Sequence, residues 1–112
     1  MPCVDTTQLL KGVLDLAVLA VLRDEDGYGY DILRRLRAAG LQEVGDASVY
    51  GTLRRLFANG FLNTYVVPSD EGPHRKYYAL NAAGRAELER NGKGWRGFAS
   101  IMDDLLRDRG TA

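Results

Sequence analysis

The stretch Asp46-Ala47-Ser48-Val49-Tyr50-Gly51-Thr52-Leu53-Arg54-Arg55-Leu56-Phe57-Ala58-Asn59-Gly60, followed at once by Phe61-Leu62-Asn63-Thr64-Tyr65-Val66-Val67, sets the reading of the whole chain. Val49, Leu53, Leu56 and Phe57 are spaced i, i+4, i+7 and i+8, which makes one narrow apolar stripe along a helix. At about 100° per residue, Ser48, Gly51, Thr52, Arg55 and Asn59 fall on the opposite, exposed face. Arg54 lies to one side of that face, and Tyr50 flanks the stripe. Asp46 or Ser48 can cap the start of this helix, and Asn59-Gly60 is a stop signal. Leu62 to Val67 is rich in β-branched and aromatic residues, as is the shorter Arg75 to Leu80. Between them runs Pro68-Ser69-Asp70-Glu71-Gly72-Pro73-His74, so the two runs read as a hairpin whose proline-flanked tip is exposed.

Upstream, Leu9 to Leu22 carries apolar residues on nearly every face and predicts a buried helix, weakened at Gly12 by about 1 kcal/mol relative to alanine. Asp24 to Gly27 reads as a turn. A second helix spans about Tyr30 to Ala39, with Ile32, Leu33 and Leu36 as its core stripe and Arg34, Arg35 and Arg37 largely off it. Gly40 is placed to end it in the left-handed conformation. Downstream, Asn81 can cap a last helix running to about Arg107. In that helix Leu88, Trp95, Phe98, Met102 and Leu105 recur at coiled-coil spacings, and Ile101 and Leu106 widen the seam. Gly92, Gly94 and Gly97 each cost it about 1 kcal/mol, so it either kinks near Gly92 or is held straight by another chain.

Helix, helix, helix, hairpin is the order of a winged helix-turn-helix. The expected class is mainly α (α+β), with the winged domain in residues 1–80 and a C-terminal dimerisation helix in 81–112. In such a fold the helix after the turn enters the DNA major groove. The exposed face of the third helix suits that role: Ser48, Tyr50 and Thr52 offer hydroxyls to phosphates, Arg55 can bond guanine or phosphate, and Gly51 lets DNA come close. Arg54 adds a second cation. At the wing, His74, Arg75 and Lys76 supply basic groups with Tyr77 and Tyr78 beside them, at least one of the two tyrosines belonging to the core.

Composition bounds the alternatives. The 112 residues carry 15 Lys+Arg against 15 Asp+Glu, so the formal net charge is zero, with 46% hydrophobic residues. This fits one small globular domain and excludes a globally basic nucleic-acid binder. The balance is a sum of placements: residues 46–80 hold four basic and three acidic groups, the cations being Arg54, Arg55, Arg75 and Lys76. One Cys and one His, Cys3 and His74, leave no thiol–imidazole catalytic pair and no metal-ligand cluster, so no catalytic residue, metal or cofactor is expected. No apolar run approaches the roughly 20 residues that span a bilayer, and the first ten residues lack the basic start of a signal peptide. No membrane partner is expected, and the cytoplasm is the expected compartment. A second reading stays open: a dimeric protein-interaction module on the same fold without specific DNA binding, favoured by the neutral charge and by Gly51.

The fragments taken together resemble the PadR-like family of transcriptional regulators, over about Leu9 to Leu106. The resemblance rests on Leu9-Leu10-Lys11-Gly12, Tyr28-Gly29-Tyr30-Asp31-Ile32, Ser48-Val49-Tyr50, Leu53-Arg54-Arg55-Leu56 with Gly60-Phe61-Leu62, and Arg75-Lys76-Tyr77-Tyr78-Ala79-Leu80 with Gly84. It implies a homodimeric transcription factor, usually a repressor, held together by its N- and C-terminal helices. It implies Ser48, Tyr50, Arg55, Lys76 and Tyr77 as DNA contacts on a pseudo-palindromic operator. The dimer interface would then draw on Leu10, Leu14, Trp95, Phe98, Ile101, Met102 and Leu105. Trp95 and Phe98 would face a small aromatic or hydrophobic effector. The family commonly carries proline directly after the tyrosine of its recognition helix; here the position is Gly51.

Overall fold

A computed structural model describes Leu10 and residues 12–108; Cys3, Leu9 and Lys11 lie outside the described residues. The order of elements is α1 (Leu14–Asp24), β1 (Gly27–Tyr28), α2 (Gly29–Ala38), α3 (Asp46–Ala58), β2 (Leu62–Val67), β3 (Arg75–Leu80) and α4 (Ala82–Leu106). The class is the expected mixed α+β, helices packed on a three-stranded antiparallel sheet of order β1-β3-β2.

The hairpin has the predicted limits, with Leu62 opposite Leu80 and Val67 opposite Arg75. β1 is an addition. The turn expected over Asp24 to Gly27 instead runs into a two-residue strand, Gly27 opposite Tyr78 and Tyr28 opposite Tyr77. The helix expected over Leu9 to Leu22 is interrupted: Leu10 is helical, residues 12–13 form a turn, and α1 starts at Leu14. Gly12 adopts φ +85°, a left-handed conformation open to glycine, and this separates α1 from Leu10. Gly40 and Gly60 take the same region just past α2 and α3, where they end those helices.

Val18, Leu19 and Leu22 of α1, Ile32, Leu33 and Leu36 of α2, and Val49, Leu53 and Leu56 of α3 form the core, closed by Leu62, Tyr78 and Leu80 of the sheet. Tyr78 is thus the core member of the tyrosine pair.

Two arginines expected off the core stripe of α2 are structural clamps. Arg35 Nη1 donates to the carbonyls of Val21 (3.2 Å) and Glu25 (3.0 Å), and Nη2 donates to that of Asp26 (3.2 Å). The same guanidinium lies 3.3 Å from the Asp31 carboxylate. A Cβ on Gly27 would run into Arg35 and Asp31, so the strand can approach only without a side chain. Arg37 donates from Nε and Nη2 to the carbonyl of Val44 (3.1 and 2.9 Å), bracing the turn between α2 and α3. This turn delivers α3 with no side-chain cap. Gly45, in extended backbone, precedes it, and Asp46 is already helical, its carboxylate 3.9 Å from Arg37.

Asn81 does cap α4: its Oδ1 accepts from Gly84 N–H at 2.8 Å while its Nδ2 donates to the Gly60 carbonyl at 3.0 Å. The cap thereby ties the helix to the base of the hairpin. Helix α4 then continues unbroken for 25 residues through Gly92, Gly94 and Gly97. Its distal half stands clear of the core and carries Trp95, Phe98, Ile101, Leu105 and Leu106 exposed.

Replacing Arg35 by Lys keeps the charge and loses the fork that reaches three carbonyls at once. Arg35→Lys is expected to lower unfolding free energy by about 1–3 kcal/mol, since charge-assisted hydrogen bonds are worth about 1.5–3 kcal/mol each, less where solvent reaches them, and a lysine retains some of them. Urea unfolding measures it, with Arg34→Lys, an exposed neighbour, expected within about 0.5 kcal/mol of the parent.

Candidate nucleic-acid interface

The buried side of α3 is wider than its apolar stripe. Thr52, expected on the exposed face, is 3% exposed and belongs to the core beside Val49 and Leu56. Its methyl group and small volume let the hydroxyl-bearing side chain pack where a larger polar residue would not. Phe57, expected on the stripe, is 46% exposed. The helix is therefore rotated relative to the sequence-based expectation. Its outward face centres on Ala47, Gly51, Arg54 and Ala58, with Ser48 and Arg55 along one flank and Tyr50 and Phe57 along the other.

These residues are held differently. Arg54 is exposed and makes no ion pair among the described residues. Gly51 leaves open space at the centre of the face: a Cβ built there would meet only the Arg54 guanidinium, at 3.8 Å. Ser48 is exposed in the first turn of the helix. Tyr50 lies across Gly29 at the start of α2, so close that any side chain at Gly29 would overlap its ring. Arg55 does not stand free. It pairs with Asp15 of α1, Nε lying 3.4 Å from one carboxylate oxygen and Nη2 bonding the other. The hydrogen bond to Asp15, with the attraction of its charge, holds the guanidinium protonated beyond its ordinary range.

The wing divides between two faces of the sheet. Lys76 shares the inner face with Tyr78, and its Nζ lies 5.6 Å from the ring centres of both Tyr78 and Phe57. The cation of β3 therefore sits against the exposed flank of α3. Arg75 and Tyr77 are on the outer face. There Tyr77 stacks on Tyr65 (5.5 Å) and meets Tyr28 edge-on (5.4 Å), while the Arg75 guanidinium covers the Tyr28 ring at 4.6 Å. Tyr65 donates its hydroxyl to Asp26 at 2.7 Å, and this bond pushes its phenol above the ordinary range. Periodicity alone did not reveal this tyrosine ladder, although the alternation of Tyr65 and Tyr77 in paired strands is its signal. His74 is exposed at the end of the wing tip.

The residues expected at a dimer interface also separate. Leu10 and Leu14 are half-buried against the protein's own core, and Met102 is half-buried on α4. Trp95, Phe98, Ile101 and Leu105 are exposed, from 45% to 70%. Trp95 and Phe98, 6.3 Å apart by ring centres, line one wall of a cavity of about 440 Å3 whose other wall is Gly12, Val13, Asp15 and Leu16. Among the described residues, no three His, Cys, Asp or Glu side chains converge to hold a metal ion, and no helix is long and apolar enough to cross a membrane.

Comparison with known proteins accords with this arrangement. The profile of the transcriptional regulator PadR-like family matches residues 18–90. The crystal structure of a PadR-like transcriptional regulator from Bacillus cereus is 30% identical, with a TM-score of 0.81 over 91% of this chain and 99% of that one. A PadR family transcriptional regulator from Eggerthella lenta is 27% identical with a TM-score of 0.82, covering 93% of this chain and 90% of its own. A transcriptional regulator from Clostridium thermocellum shares the fold at a TM-score of 0.83 and 21% identity, over 93% of this chain and all of that one. An uncharacterized Lysinibacillus sphaericus protein is 27% identical over 87% of this chain and 91% of its own length. The winged arrangement and the family profile together place the chain in the PadR-like family of transcriptional regulators, whose members regulate transcription and are not enzymes.

Proposed function

We propose that the chain is a sequence-specific DNA-binding repressor, working as a homodimer on a pseudo-palindromic operator and released by a small aromatic or hydrophobic effector. The observation that carries the reading is the approach of Lys76 to Phe57, which sets the basic strand of the wing beside the exposed flank of α3 in one continuous surface, the reading head. On this reading Ser48, Gly51 and Arg54 meet the major groove, with the Tyr50 hydroxyl at the rim. His74, Arg75 and Lys76 meet phosphates. Thr52 is withdrawn from the set by its burial, and Tyr77 supports Arg75 through the tyrosine ladder. Arg55 reaches DNA only by leaving Asp15.

The exposed apolar seam of α4 supports a second copy as the partner, because apolar surface of this extent on a free helix calls for a cover. Two copies double the few cations of each head. They also give the two-fold symmetry that an operator mirrors. The cavity beside Trp95 and Phe98 supports an effector of flat apolar shape, since aromatic walls bind such molecules by stacking and burial.

Selection of bound duplexes from a random pool, followed by sequencing, is expected to return a symmetric pair of half-sites; recovery of unrelated sequences would sink the specific-binding claim. On the selected duplex, Arg54→Ala should lose about 1–3 kcal/mol of binding and relax the preference at one base position per half-site. By light scattering, Ile101→Glu is expected to convert a dimer into a monomer, with the helical signal near α4 reduced. Titration with neutral phenolic compounds should change the fluorescence of Trp95, the sole tryptophan. It should also weaken operator binding over the same concentration range.

A further inference from the structure

Of the four cations in the reading head, one is already spent on a carboxylate. Arg54, Arg75 and Lys76 make no ion pair among the described residues, whereas Arg55 is bonded through Nε and Nη2 to Asp15, forty residues earlier in the chain. The bond crosses from the flank of α3 to the first turn of α1. Both side chains stay open to solvent, 54% and 39% exposed, and a pair this wet is weak and easily exchanged. It is not needed to hold α3 in place, because Val49, Leu53, Leu56 and Thr52 already bury the opposite side of that helix.

We propose that Asp15 is a positioning residue for DNA recognition: it withholds Arg55 from the reading face, so that the free protein offers three head cations per subunit and a fourth is held in reserve. The proposal rests on the DNA-binding reading above. Arg55 lies beside Ser48 on the flank of the outward face, and its long side chain can turn from Asp15 toward that face. Moving there exchanges one ion pair for another and leaves Asp15 without its cation. Asp15 is reachable from its other side as well, since it lines the cavity shared with Trp95 and Phe98. A positively charged occupant of that cavity competes with Arg55 for the same carboxylate and frees the fourth cation. Removing the charge by Asp15→Asn reproduces that freed state without any ligand.

The full-length protein, Asp15→Asn, Arg55→Gln and the double variant are titrated onto a labelled mixed-sequence duplex across a series of salt concentrations, followed by fluorescence anisotropy. Asp15→Asn is expected to bind several-fold more tightly at low salt and to steepen the plot of log affinity against log salt by about one per subunit, the signature of one more neutralised phosphate. Arg55→Gln alone is expected to leave affinity and slope close to those of the parent, and in the double variant the gain is expected to vanish. A gain that persists in the double variant would mean that removal of a nearby negative charge is the whole effect, which overturns the proposal. So would an Arg55→Gln protein whose slope falls by about one, because Arg55 would then already be on DNA despite Asp15. An Asp15→Asn slope equal to the parent's is equally fatal. If the parent itself fails to bind at the lowest salt, the DNA-binding reading fails and takes this proposal with it. Arg55→Gln changes only an exposed side chain, so its arm can still overturn the proposal if Asp15→Asn folds poorly; unfolding curves of all four proteins monitor folding, and Asp15→Ser then serves as the second charge-removing variant.

Discussion

The guanidinium of Arg35 is the contact on which the rest of the architecture hangs. A helix leaves its last carbonyls without partners. Here one of these, that of Val21, and two more on the chain leaving α1 converge on a single side chain from α2. An arginine does this because its donors are fixed in one plane and point outward over a wide arc. The clamp fixes the angle between α1 and α2, and it sets β1 down beside β3. Its Nε is buried without a partner, a modest penalty against the bonds the rest of the group makes. Gly27 and Asp31 complete the arrangement, one by its absence of side chain and the other by its charge.

From that clamp the geometry passes outward in two steps. Arg37 repeats the device on a smaller scale, holding the Val44 carbonyl so that α3 emerges from its turn in one orientation. Tyr50 then rests on Gly29, and Lys76 lies over Phe57, so one flank of α3 meets α2 and the wing, while on the other flank Arg55 pairs with Asp15 of α1. Of the two arginines on α3, Arg55 is held by Asp15, while Arg54 is exposed and makes no ion pair among the described residues.

Much of this was legible in the residues. The hairpin limits followed from β-branched runs broken by prolines, and the Asn81 cap from an amide placed just before a helical pattern; both are local signals, and the structure kept both. The misses have a common cause in contacts between distant parts of the chain. Thr52 is chemically ambivalent, and only the volume available beneath α3 decides that it is buried. β1 is two residues long, too short for any periodicity, and exists because β3 offers it an edge. Arg35 and Arg37 looked like solvated charges because what they bond is backbone, which carries no sequence signature. Arg55 looked free because its partner lies forty residues away.

The unbroken course of α4 through three glycines bears on how much of the protein a cell must hold. An isolated helix pays about 1 kcal/mol at each of Gly92, Gly94 and Gly97, and short helices are marginal in water even without that burden. On the proposed dimer, the distal half of α4 is ordered by the copy it packs against, so folding of that segment and pairing of the chains become one equilibrium. Pairing depends on the square of protein concentration. Abundance then becomes an input in its own right: below a threshold of expression the reading heads are present but not yoked together, and occupancy of a two-fold site rises steeply as the threshold is crossed.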